Sequence, residues 1–239
     1  MRICLISAVL VLWGSLLPAQ DSLRHESSWK QYASLGGANA SNLNGPFAYY
    51  RLNRRTTFTF HDLRFFAYGF EKNSFIYLRY KSSNKKLNFP RLYTFSTISY
   101  RKNTRAGVNL QYHFNQGGGW FIKDYRSGHL NLEVGHAFDM SDYLNENQKT
   151  SYLKGGIYWD HDTEIFSSKI EVEYFYQISD LNLNNLTRTQ LVAELNFPLV
   201  KDLSININYE LEAYGESKNS AINSTTIALN WRKSLGWKL

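Results

Sequence analysis

Stretch after stretch of this chain alternates apolar with polar residues one by one, and that periodicity limits its fold more than any other feature. Leu203, Ile205, Ile207, Tyr209, Leu211 and Ala213 alternate with Ser204, Asn206, Asn208, Glu210 and Glu212. Ile170, Val172, Tyr174 and Tyr176 alternate with Glu171, Glu173, Phe175 and Gln177. Leu130, Leu132, Val134 and Phe138 alternate with His129, Asn131, Glu133 and Ala137, and Ala106, Val108, Leu110, Tyr112 and Phe114 with Arg105, Asn109, Gln111 and His113. A period of two places one set on each face of a β-strand. Each run is about 10 residues, enough for a tilted strand to cross a bilayer.

The connectors add independent information. Asp139 to Thr150, Ile178 to Thr187 and Gly215 to Asn223 are long and polar, whereas Asp124 to Ser127, Asp160 to Glu164 and Pro198 to Asp202 are short. Long and short alternate strictly through this half, as they do where long extracellular loops face short periplasmic turns. A soluble sandwich has no reason to alternate so.

Strands are expected near 29–39, 46–54, 57–69, 73–81, 91–100, 105–122, 128–139, 150–159, 165–177, 187–197, 203–214 and 224–239. The expected fold is therefore all-β: an antiparallel up-and-down transmembrane β-barrel of about 12 strands, with 10 and 14 left open. In Phe58, Phe60, Phe65, Phe66, Tyr68 and Phe70 the aromatics change phase, which calls for a bulge or a ring girdle.

Composition fits. Aromatics make up 16% of the chain while the mean hydropathy is −0.42, and no segment beyond the N-terminus is apolar enough for a transmembrane helix. Many rings without long apolar runs suit a barrel with aromatic girdles. Ile227, Leu229, Trp231, Leu235, Trp237 and Leu239 share one parity, as in a closing strand read by barrel-assembly machinery. Lys233 falls on the same side, so it belongs near an interface.

At the N-terminus, Arg2, the apolar run Ile3 to Trp13 and Pro18-Ala19-Gln20 read as a cleaved signal peptide over 1–19. A short periplasmic segment over 20–28 and a single barrel domain over 29–239 follow. The only cysteine, Cys4, lies in that leader, so the mature chain offers neither disulfide nor thiolate chemistry.

Tyr100-Arg101-Lys102, Ala106-Gly107-Val108-Asn109-Leu110-Gln111-Tyr112 and Gly117-Gly118-Gly119-Trp120, followed by a short turn and an alternating strand, resemble the DUF481 (YdiY-like) family of outer-membrane proteins. Leu35-Gly36-Gly37 with Ser41-Asn42-Leu43-Asn44 is similar to the family's opening, without its Gly-Asn pair. The resemblance implies a barrel of unassigned molecular role and brings no catalytic residues.

Arg79, Arg105, His113, His129, Glu133, Lys154, Glu171, Glu173, Glu194, Glu210 and Glu212 fall on the inferred lumen face. His113 and His129, on adjacent strands, could meet there. Asp160-His161-Asp162 offers three ligands in one turn, but consecutive residues point apart, and no metal or other cofactor is expected. His136 and Ser141 lie near a rim without a nucleophile motif, so no enzymatic activity is expected. Gly117, Gly118 and Gly119 would relieve crowding inside the barrel, and no basic helix or finger points to nucleic acid. The net charge of +7 suits an anionic solute as well as a solvated surface. Three roles remain: a narrow small-solute channel; a plugged barrel serving envelope integrity or loop-mediated adhesion; and a rim hydrolase. Lumen charge separates the first two, an open ring of one sign favouring transport and matched pairs a plug. The expected location is the outer membrane, with lipid and the assembly machinery as partners.

Overall fold

The computed structural model describes residues 29–40, 43–71, 73–104, 107–142, 148–179, 185–215 and 221–236. Twelve strands follow one another: β1 (Trp29–Ala40), β2 (Leu43–Arg55), β3 (Thr59–Phe70), β4 (Asn73–Lys86), β5 (Phe89–Asn103), β6 (Val108–Tyr125), β7 (Gly128–Ser141), β8 (Gln148–Asp162), β9 (Ser167–Gln177), β10 (Arg188–Val200), β11 (Leu203–Tyr214) and β12 (Ala221–Leu235). Each pairs antiparallel with its sequence neighbours, and β1 pairs β12 from Trp29↔Leu235 to Asn39↔Thr225. The ring is closed, so no strand edge is left unpaired. The segments 1–19, expected to be a signal peptide, and 20–28, together with Arg105, Ala106, Trp237 and Leu239, lie outside the described residues.

The two faces have opposite chemistry. Outward stand Ile157, Tyr174, Ile227 and Leu229, each about half exposed, while Glu133 and Lys154 on the inner face are 1% exposed. A sheet with an apolar exterior and a charged interior is the inverse of a water-soluble protein, and it suits a barrel set in lipid. Links 56–58, 87–88, 126–127, 163–166 and 201–202 form one rim, here the turn rim, with the outer ends of β1 and β12. The opposite strand ends, at Ala40 and Leu43, Phe70 and Asn73, Asn103 and Val108, Ser141 and Gln148, Gln177 and Arg188, and Tyr214 and Ala221, form the other, the loop rim. The widest separations in sequence, after β7, β9 and β11, all fall between strand ends of the loop rim.

Three expectations are corrected. No bulge interrupts β3, whose register runs unbroken against β2 and β4. Its aromatics instead occupy both faces: Phe65 points out, while Phe66, Tyr68 and Phe70 join Ala38, Ala40, Phe47, Phe75 and Ala228 in a buried cluster inside the barrel. Val108 is buried rather than outward, because the β5–β6 register shifts between Arg101 and Asn103. Asp160, His161 and Asp162 belong to β8 and not to a turn, which comes after them. Lys233 stands opposite Gln31, two residues from the end of β12.

Glycine matters where a neighbouring ring or backbone comes closest. Tyr93 and Gly119 are direct cross-strand partners, and the tyrosine ring lies flat against the glycine: a β-carbon there would stand 2.1 Å from Cζ. At Gly117 a β-carbon would meet the Val134 carbonyl at 2.2 Å. The missing side chains let ring and backbone close up, as aromatic residues do when they cover strand glycines.

Candidate functional site

Strand alternation delivers the inner side chains, and register decides which of them meet. Arg51, Arg64 and Arg79 are direct partners across β2, β3 and β4, so three guanidinium groups stand side by side. Such a row of like charges destabilises a sheet unless it is compensated. Asp62 accepts from Arg51 and Arg64, each at 2.5 Å. Glu171 faces Arg64 and Arg79, each at 3.7 Å, and takes Lys169 at 2.5 Å. Since β3 and β9 are half a ring apart, the Arg64–Glu171 pair crosses the lumen.

A second network surrounds Glu133. Lys81 reaches it at 2.5 Å and Lys154 at 3.5 Å, and the Tyr93 hydroxyl donates to it at 3.0 Å. Lys154 also pairs Glu173 at 2.7 Å, which accepts in turn from the Tyr158 hydroxyl. A third joins Arg101 on β5 to Glu212 on β11, again across the full width of the ring. Arg188 bonds Asp139 at 3.0 Å, and Asp139 also holds His113 and accepts from Gln111 at 3.0 Å. Removing one member of such a buried pair strands the other charge, at a cost of about 3–5 kcal/mol. The ammonium and guanidinium groups also lie over rings: Lys81 above Phe95 and Tyr158, Lys154 above Phe95, Tyr158 and Phe175, and Arg188 above Tyr152 and Phe175.

Of the residues expected in the lumen, Arg79, Glu133, Lys154, Glu171, Glu173 and Glu212 join these ion pairs. Glu194 accepts from Asn206 at 2.8 Å, and Glu210 from Asn208 at 3.1 Å. Arg105 lies outside the described residues. His113 and His129 do not meet. His113 is paired with Asp139, ten residues along β7 from His129, about 33 Å at the rise of a strand. His129 instead faces Asp160 at 3.1 Å near the turn rim. His136 is outward at mid-strand and Ser141 is buried at the end of β7, so the pair considered for hydrolysis sits on opposite faces. Sequence reasoning missed Arg51, Asp62, Lys81, Arg101, Asp139, Lys169 and Arg188, and with them the inward rings. Parity would have grouped Asp62 and Arg64 had aromatics not shared their face.

Two cavities lie in the interior among the described residues. The larger, about 660 Å³, lies toward the turn rim, lined by Lys30, Arg55, Lys81, Lys85, Glu133 and Asp160 among others. The smaller, about 180 Å³, lies toward the loop rim between the aromatic cluster and Glu194, Asn208, Glu210 and Glu212. Tyr49, Arg64, Arg79, Glu171, Glu194 and Asn206 line both, so the cavities meet at a waist built around the cross-lumen pair.

A family model described as "Protein of unknown function, DUF481" matches residues 37–230. No curated protein matches by sequence. Among solved structures the fold is similar to a NanC porin, with a TM-score of 0.57 and 8% identity over 83% of this chain and 98% of that one. The translocator domain of the autotransporter NalP from Neisseria meningitidis matches with a TM-score of 0.49 and 11% identity, covering 89% and 91% of the two chains. A KdgM porin matches with a TM-score of 0.48 and 10% identity, covering 84% and 98%. At these identities the likeness concerns the fold, that of outer-membrane β-barrels.

Proposed function

The chain belongs to the DUF481 family, and we propose that it is a narrow outer-membrane channel for small solutes. One observation carries this reading: two cavities, about 660 and 180 Å³, lie end to end inside a closed barrel and share a waist lined by Arg64, Arg79 and Glu171. A fully packed core would leave no such volume. Twelve strands enclose only slightly more than the side chains can fill, so the passage is narrow and its width is set by Arg64, Arg79 and Glu171. Export by a cleaved leader over 1–19, assembly through the C-terminal strand and contact with outer-membrane lipid belong to the same proposal. Proteoliposomes carrying the protein should swell in a pentose and stay shrunken in a trisaccharide.

A second reading has its own support. The Arg64–Glu171 and Arg101–Glu212 pairs cross the lumen, and matched charges are what a plug requires. On that reading the barrel serves envelope integrity or adhesion through its loops. Proteoliposomes that swell in neither sugar would favour it.

A further inference from the structure

We propose that the smaller cavity, toward the loop rim, is a binding site for a small organic ammonium ion. The argument starts from charge. Four arginines line this cavity, and every one is engaged: Arg64 and Arg79 by Glu171, Arg101 by Glu212, Arg188 by Asp139. Glu173 is matched by Lys154. Two carboxylates remain, Glu194 and Glu210, whose hydrogen bonds come from the neutral amides of Asn206 and Asn208 and which have no cation at salt-bridge distance among the described residues. A buried carboxylate without a cation is costly, and an occupant that carries one would relieve it.

The amide next to Glu210 points the same way. Asn208 is 7% exposed and lines the cavity, and once its Nδ2 has donated to Glu210 its Oδ1 has no hydrogen-bond partner. Asn115, 3% exposed on the same cavity, also leaves its Oδ1 without one. Both of these unpartnered amide atoms are acceptors. The Nε atoms of Arg79, Arg101 and Arg188 on the same cavity also lack a hydrogen-bond partner, but each of those groups already holds a carboxylate through an Nη, whereas Glu210 and Glu194 have no cation to match among the described residues.

Aromatic rings supply the third element. On the β7–β9 wall, Tyr152, Tyr158 and Phe175 each lie under one of the protein's own cations. On the β2–β4 wall of this cavity, no cation from the described residues stands over Phe47, Tyr49, Phe66 or Tyr77, and Phe75 alone has Arg101 at 5.6 Å. Ring faces attract ammonium groups most strongly where water is excluded. An alkylammonium ion between these rings and Glu210 would place its charge over the π-faces and its N–H donors on Glu210 and Asn208. A cavity of about 180 Å³ restricts it to a small one.

Binding at equilibrium needs no continuous passage, so this site stands or falls separately from the channel. The test is a ligand-observed NMR titration of the refolded barrel in detergent, with n-butylammonium as probe, n-butanol as its neutral counterpart and maltose as a polyol. Saturable binding of butylammonium, at least tenfold tighter than butanol and about tenfold weaker in the isosteric Glu210→Gln variant, is the expected result. Heat-modifiable migration of that variant shows that it is folded. Should it not fold, the ammonium-over-alcohol preference of the unsubstituted protein decides. Equal binding of butylammonium and butanol, no saturable binding, or a preference for maltose would overturn the proposal.

Discussion

Arg64 and Glu171 stand on strands half a ring apart and still meet, Nη1 to Oε1, at 3.7 Å. The barrel is therefore narrow enough for two side chains to span it, and that carboxylate faces Arg64 and Arg79 together. Glu171→Gln strands the Arg79 guanidinium in the interior, while Arg64 keeps Asp62 at 2.5 Å. It should cost about 3–5 kcal/mol, read as a lower temperature for the heat-modifiable gel shift. The double variant Arg64→Ala with Glu171→Gln should lose less than the two single losses combined, because coupled partners do not add. Additive losses would show that the pair does not interact.

The inside-out arrangement predicts unequal effects of one substitution at adjacent positions. Ile207→Lys places a cation on the outer face at mid-strand, at about 2–4 kcal/mol in lipid, whereas Asn206→Lys places it in the polar lumen. The folded fraction in bilayers should fall much further for Ile207→Lys. Equal losses would reverse the assigned faces.

Tyr93 depends on the absence of a side chain at Gly119. A β-carbon there stands 2.1 Å from the ring, so Gly119→Ala must push away a tyrosine that donates to Glu133 and accepts from Asn131. Overpacking of this kind costs about 1–3 kcal/mol. Gly118→Ala, with nothing closer than 3.9 Å, should be milder in the same unfolding assay. Equal costs would mean that the ring does not rest on Gly119.

A strand that crosses the bilayer changes side at each pass, which fixes the orientation of every link. Cysteines at Ser179 and Gly215 on the loop rim should react with a bulky maleimide on intact cells. Those at Arg126 and Lys201 on the turn rim should react only after permeabilisation. Tyr143, Asn184 and Asn219, which belong to the same long connectors of the sequence, lie outside the described residues, whereas Ser179 and Gly215 do not. If Gly215 and Lys201 label alike, β11 does not span the membrane.

What the sequence makes legible depends on how cleanly the two faces differ. In β11 every inward residue is polar, from Ser204 to Glu212, and both bounds of that strand agree with the alternation. In β3 the inward face reads Phe60, Asp62, Arg64, Phe66, Tyr68 and Phe70, so apolar residues occur on both sides and the period fades. The waist was hidden for that reason. The cross-lumen partners were hidden for another: alternation shows that Glu171 faces inward, but only the closed ring brings β9 opposite β3. The His113–His129 meeting failed on register, which parity does not report.

Single-channel recording in planar bilayers tests the central claim most directly. The account predicts small, discrete conductance steps for the unsubstituted protein. Arg64→Ala combined with Glu171→Ala removes the pair that spans the waist and should raise the step at least twofold. Membranes that stay silent with both proteins, each shown to be inserted, would contradict it.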